Sequence, residues 1–207
     1  MLPPASRAAR VRIFPMFRTI LLSIFIALSF TVSAQQPPPI AVPAESGSWI
    51  NLAPTNAGFA ILMPAKPDEK VEAIAGHPGL ENHTLTLETK LAGYVVSYIQ
   101  FTDNITDPTL IKQMLDRGRE GGLASSGGTL KSEKEIKLND YLGREWLMEL
   151  PGGFSATARA YWVKRRLFQT VFITTPRPDD SAEIRRLRQE TATKFLDSFT
   201  LSEDAGR

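Results

Sequence analysis

From residue 49 onward the chain alternates apolar and polar positions in short blocks, mostly at the two-residue period of β-strands. Residues 49 to 52 and 58 to 63 read as two strands around the turn-rich PTNAG. HTLTLETK places Leu85 and Leu87 on one face and Thr84, Thr86 and Glu88 on the other, the pattern of a half-exposed strand. YVVSYIQF, residues 94 to 101, is apolar on both faces, as a central strand is, and the short LAG separator makes a hairpin of the two. TLKSEKEIKL reads as a polar edge strand whose lysines and glutamates discourage edge pairing. Three more strands follow, at 142 to 150, 154 to 163 and 166 to 174.

Two segments change to a helical period. Asp107-Pro108 supplies an N-cap and a proline at the first helical position. Leu110, Ile111, Met114 and Leu115 then form one stripe, Gly118 lets that face approach a sheet, and Gly121-Gly122 is expected to end the helix. Asp180-Ser181-Ala182-Glu183 resembles a capping box with Asp in the capping position. The helix it opens carries Ile184, Leu187, Thr191 and Phe195 on one side, with Arg185, Arg186 and Arg188 towards the other. Strands outnumber helices and connections are short, so the expected class is α+β: an antiparallel β-sheet flanked by two main helices.

The stretch NDYLGREWLMEL, residues 139 to 150, looks most like chemistry, and strand parity tests that impression. Trp146, Met148 and Leu150 share one parity; Glu145 and Glu149 have the other. In the next strand Phe154, Ala156, Ala158, Ala160 and Trp162 are even, while Ser155, Thr157, Arg159 and Tyr161 are odd. A slip of one residue would turn one apolar face outward, so paired residues must share parity. A three-residue loop, Pro151-Gly152-Gly153, with Leu150 opposite Phe154 meets that condition. Glu145 then faces Arg159 as a cross-strand ion pair, and Trp146 faces Ala158. Arg144 has the apolar parity at the strand's start; its long stem is expected to carry the charge to solvent. It is also the one candidate contact for a ligand or partner.

Residues 1 to 34 read as a secretory signal peptide. Arg7, Arg10, Arg12 and Arg18 supply a positive region ahead of an apolar run from Ile20 to Val32, and Val32-Ser33-Ala34 offers small residues before Gln35. Met16 is an alternative start. An uncleaved anchor fits less well, since Arg18 interrupts the apolar residues that a span needs. Residues 35 to 48 form a Pro- and Ser-containing linker, 49 to 202 a single α+β domain, and 203 to 207 a tail. Removing the leader takes four of 24 Lys and Arg, leaving 20 against 22 Asp and Glu, a net of −2. A nearly neutral, exported domain is a poor partner for a phosphate backbone, so nucleic-acid binding is not expected. The expected place is periplasmic or secreted, with no stable membrane span after cleavage. There is no cysteine, which rules out disulfides, thiolate metal sites and a lipid-modified cysteine.

Other candidate chemistry is sparse. His77, His83 and Glu81 lack a helix to fix a metal-binding spacing, so surface histidines are expected and no metal. GREGGLASSGG lacks the phosphate-loop pattern, and Ser125 and Ser126 lie outside G-x-S-x-G. Glu133 and Glu135 alternate with lysines as a solvated face does. Lys164-Arg165-Arg166 reads as an exposed hairpin turn that an anionic lipid surface could attract. Asn82-His83-Thr84 and Asn104-Ile105-Thr106 match the glycosylation sequon. No catalytic, cofactor-binding or metal-ligating residue is assigned.

WINLAPTNAGFAILMPAKP, LGREW, RAYWVKRRLFQTVF and KFLDSFTL together resemble exported bacterial proteins of unknown function with the PsbP-like fold, named after the extrinsic protein of photosystem II. The resemblance runs from about Trp49 to Leu201. Gly58-Phe59, Met63-Pro64, Gly143-Arg144-Glu145 and the run from Phe195 to Phe199 carry most of it. It implies an antiparallel sheet with helices on its faces and a binding or assembly role without a shared catalytic residue. No ligand set for manganese is matched. The expectation is an exported, non-catalytic accessory of the cell envelope that binds an envelope protein or small ligand. The alternatives are a hydrolase-type enzyme with a site in a sheet–helix cleft, or a membrane-surface accessory.

Overall fold

A computed structural model describes residues 48–206; the signal-peptide assignment and all but the last residue of the linker fall outside these. In chain order the elements are β1 (Ile50–Leu52), β2 (Phe59–Met63), β3 (Asp68–Ala73), β4 (Glu81–Glu88), β5 (Gly93–Gln100) and α1 (Pro108–Ser126). They continue with β6 (Thr129–Leu138), β7 (Tyr141–Leu150), β8 (Phe154–Val163), β9 (Arg166–Thr174), α2 (Ala182–Asp197) and β10 (Thr200–Leu201). A seven-stranded sheet has the order β3-β4-β5-β9-β8-β7-β6, and a small sheet has the order β1-β2-β10. Every pairing is antiparallel. After β5, helix α1 carries the chain to the far edge, and β6 to β9 return as a meander until β9 meets β5.

The α+β architecture matches the expected class. One face of the large sheet, with Trp146, Met148, Ala156, Ala158 and Trp162, packs on Ile111, Met114 and Leu115 of α1. The opposite face, with Tyr94, Val96, Tyr161 and Phe168, packs on Phe195 and Leu196 of α2 and on Phe59, Ile61 and Met63 of β2. Alternation along each strand thus feeds two cores, one per face. The hairpin register is as parity requires: Leu150 opposite Phe154, Glu145 opposite Arg159, Trp146 opposite Ala158. Pro151–Gly153 forms the connecting turn, with Gly152 and Gly153 both at φ 80°. The small alanines leave room for the Trp146 and Met148 side chains beneath α1.

Several local expectations are corrected. Helix α1 does not stop at Gly121-Gly122; both glycines are buried with Gly118 inside it, so their missing side chains let the helix lie close to the sheet. Its C-cap is Gly127, at φ 64°. In α2 the cap is Ser181, whose hydroxyl accepts from the Ile184 N–H at 3.2 Å. Asp180 instead lies buried, accepting from the Arg177 N–H at 2.7 Å and pairing with Arg188. Strand β3 was not expected, because DEKVEA is too polar to show a buried face; it is an exposed sheet edge. Thr84 in β4 is buried where a solvent face was expected, as Ile74 and Leu80 from the β3–β4 connection join the core on that side.

Candidate functional site

The segment Gly143-Arg144-Glu145 sits where three layers meet. Arg144 and Glu145 are successive residues of β7, so their side chains leave opposite faces. On the α1 face Arg144 Nη2 lies 3.0 Å from Asp116 Oδ1 on α1, and Nη1 lies 3.2 Å from Glu133 Oε1 on β6. Glu135, directly opposite Arg144 in the register, is 3.7 Å away. Arg119 pairs with Asp116 at 3.8 Å and with Glu133, and Lys112 pairs with Glu135 at 2.9 Å. Three cations therefore face three carboxylates across the α1–β6–β7 junction. The Lys112 ammonium hydrogen-bonds Glu135 and holds its carboxyl below the ordinary value. The Arg144 side chain is only 15% exposed, so its charge is matched within the protein and is not carried out to solvent.

On the α2 face Glu145 Oε2 accepts from Arg159 Nε at 2.6 Å, and Glu145 Oε1 lies 2.7 Å from Lys134 Nζ. Arg159 Nη1 continues to Asp197 Oδ1, at the end of α2, at 2.6 Å. Burial opposes ionisation of Glu145, but the hydrogen bonds from Lys134 and Arg159 outweigh it and hold the carboxyl below its usual range. Burial likewise raises the Tyr161 hydroxyl, although the neighbouring Arg159 pulls the other way.

Gly143 has its own steric reason. Val71, His83, Tyr98, Phe168, Tyr161 and Gly143 stand in one cross-strand row on the α2 face. Tyr161 stacks on Phe199 at 5.9 Å, and Phe59 packs on Tyr98, Phe168 and Phe199. The Tyr161 ring leans over Gly143: a Cβ there would fall 2.5 Å from Tyr161 Cδ1 and 2.6 Å from the Ala160 oxygen. The glycine, arginine and glutamate thus receive an aromatic ring and bind the two helices, one on each face.

The remaining candidates are dispersed. His83 stacks on Tyr98 at 4.5 Å, with Glu81 at 3.7 Å, while His77 is buried in the β3–β4 connection, not on the surface. Among the described residues no group of three His, Asp or Glu is placed to hold a metal ion. Ser125 and Ser126 donate back to the Gly122 carbonyl within α1, at 3.2 and 2.7 Å. Lys164 is exposed at the β8–β9 turn, but Arg166 is not part of a basic surface. It is 4% exposed, with Nε and Nη2 on Gln100 Oε1 at 3.1 and 2.9 Å and Nη1 on the Ala57 oxygen at 3.1 Å. Asn82 is buried, whereas Asn104 is exposed, so only the second sequon is accessible in the folded chain. A buried polar row on the α1 side of the sheet, through Thr84, Ser97 and Gln169, was not legible: alternation puts Thr84 on a solvent face, and a single strand does not show which polar residues meet across β4, β5 and β9.

No known protein family matches the chain. No curated protein matches it. Among solved structures, the cyanobacterial PsbP of Synechocystis superposes with a TM-score of 0.53 at 14% identity, covering 82% of this chain and 99% of that one. A protein of unknown function from Pseudomonas aeruginosa matches 72% of this chain and 96% of its own, at 13% identity and a TM-score of 0.39. The chain has the PsbP-like fold, an α+β arrangement of antiparallel sheet and two helices. Among the described residues no helix is long and apolar enough to cross a membrane.

Proposed function

We propose that the chain is an exported, non-catalytic accessory of the cell envelope that binds a partner or small ligand. The observation that carries this is the engagement of the charged groups around Gly143-Arg144-Glu145. Arg144 is matched by Asp116 and Glu133, and Glu145 by Arg159 and Lys134, so the segment that most resembles chemistry joins layers of the fold. The carboxyls with shifted ionisation, Glu135, Glu145 and Asp180, are all shifted downward, the direction of permanent ion pairs and the opposite of a general acid. Exposed apolar side chains, Ile50, Val71, Leu130 and Leu147, are scattered over the surface and leave room for partner contact. Export and a periplasmic or secreted location rest on the leader pattern of residues 1 to 34. With Arg166 buried, the membrane-surface alternative loses one of the three residues of its basic cluster.

The test is a pull-down from envelope extract with the chain from Gln35 onward as bait, read by mass spectrometry, beside turnover assays on generic ester and phosphate substrates. Reproducible recovery of one envelope component without turnover is expected. Turnover with no recovered partner would overturn the reading.

A further inference from the structure

We infer that the α1-side face of the sheet, where β4, β5 and β9 lie side by side, binds a small neutral molecule that carries both hydrogen-bond donors and acceptors on an apolar body. On this face Lys70, Thr84, Ser97, Gln169, Ala160, Arg144 and Glu135 stand in register across all seven strands. The interior of that row is buried: Thr84 is 4% exposed and Ser97 and Gln169 are each 6% exposed. Asn82, two residues before Thr84 on the same strand face, is also 6% exposed. Thr84 Oγ1, Gln169 Nε2 and Asn82 Oδ1 are buried with no hydrogen-bond partner among the described groups. Buried polar atoms of this kind cost stability, and natural cores keep few of them. The positions flanking Ser97 and Gln169 on the same face show what the fold uses when packing alone decides: Val95, Ile99, Leu167 and Val171, all buried.

The chemistry of the row selects its ligand. Asn82 Oδ1 needs a donor, Gln169 Nε2 needs an acceptor, and the Thr84 hydroxyl serves as either. No ionisable side chain lies between Lys70, which is paired with Glu72 at 2.8 Å, and Arg144, whose charge is matched by Asp116 and Glu133. Within the row a charged ligand would find no counter-charge, and the aliphatic neighbours favour an apolar body. Thr84 and Gln169 are two strand spacings apart, about 10 Å, the reach of a small molecule. The inference rests on the binding reading above and names its ligand class.

The experiment titrates the chain from Gln35 onward with butyramide and 1,2-butanediol, and with butyrate and butylamine as charged controls of similar size. The side-chain amide resonances of Asn82 and Gln169 are followed by 15N NMR. Saturable shifts with the neutral probes alone are expected, lost in Gln169→Met and weakened in Thr84→Val. Without probe, each of these apolar variants is expected to melt roughly 2–4 °C higher than the parent, because it removes a polar atom that the fold does not satisfy. No saturable shift, equal shifts with butyrate, or a lower melting temperature in both variants would overturn the inference; the last would mean that ordered water makes the row part of the fold. A partner recovered from envelope extract with no probe shift would sink this inference and leave the binding reading standing.

Discussion

Arg144 and Glu145 are adjacent in sequence and attach opposite helices: Arg144 reaches Asp116 on α1 at 3.0 Å, and Glu145 reaches α2 through Arg159 and Asp197, each contact 2.6 Å. The pleat of β7 makes this arrangement, since successive side chains leave opposite faces. The two ion pairs therefore stabilise different halves of the molecule, and their loss should be separable.

Arg144→Ala leaves Asp116 and Glu133 with Arg119 as the one remaining cation of the two they share. A cost of about 1–3 kcal/mol is expected, towards the lower end because these groups retain some solvent. Hydrogen exchange should rise in α1 and leave α2 close to the parent. Glu145→Ala should show the converse, with exchange rising at the C-terminal end of α2 as Arg159 loses its anchor. Equal protection loss in both helices from either variant would contradict the separation.

The pair itself can be isolated by a double-mutant cycle on Glu145 and Arg159. A coupling of about 1 kcal/mol is expected from urea denaturation, above the usual value of an exposed pair, because both side chains are less than one-fifth exposed. Strict additivity of Glu145→Ala and Arg159→Ala would show that the 2.6 Å contact contributes nothing in solution.

Gly143→Ala should be more damaging than its one added methyl suggests. The new Cβ would meet the Tyr161 ring and the Ala160 backbone oxygen, and the backbone cannot retreat as a flexible side chain can. A loss of about 1–3 kcal/mol is expected. Tyr161→Ala removes the ring on its own, so Gly143→Ala should cost distinctly less in that background if the ring is the obstacle.

These contacts also mark what the sequence could disclose. Glu145–Arg159 was legible because alternation in β7 and β8 and a three-residue turn leave one register that buries both apolar faces. The partners of Arg144 were not: Asp116 lies on a helix 28 residues upstream, and period alone does not say which strand that helix covers. Arg166 misled for a related reason, since a basic tripeptide at a turn reads as surface until the β1–β2 turn folds over it. Gly121-Gly122 looked like a stop signal, yet glycine serves close packing as readily as termination. Thr84 was hidden because a polar residue in an alternating strand is ordinarily the wet side, and its neighbours Ser97 and Gln169 because the register across β4, β5 and β9 is not read from one strand at a time.

The two residues that open α2 have different roles, and substitution should distinguish them. Ser181→Ala removes the acceptor for the Ile184 N–H, at a cost of about 1 kcal/mol. Asp180→Ala removes the acceptor for the Arg177 N–H and leaves Arg188, whose side chain is 14% exposed, without this carboxylate. The second change should cost more than the first, by roughly 1 kcal/mol or above. The reverse order in urea melts would return the capping role to Asp180.

Stability should fall on the acid side, with Glu145 as a measurable part of the loss. Its carboxyl is held below the ordinary value of 4.5, because the Lys134 and Arg159 hydrogen bonds outweigh the opposing effect of burial. When the folded value is the lower one, the unfolded chain binds the proton first as pH falls, and stability declines through that interval. The contribution is complete above the unfolded value and is lost as pH falls through the folded one. Glu135 and Asp180, lowered in the same way, add to the slope with the same sign. Glu145→Gln removes one titrating group and keeps the side chain's length. The gap in unfolding free energy between parent and variant should therefore be widest at neutral pH and close as pH falls through and below the ordinary value of 4.5. A gap that stays constant from neutral pH into the acid range in urea titrations would mean that the Glu145 charge does not stabilise the folded chain.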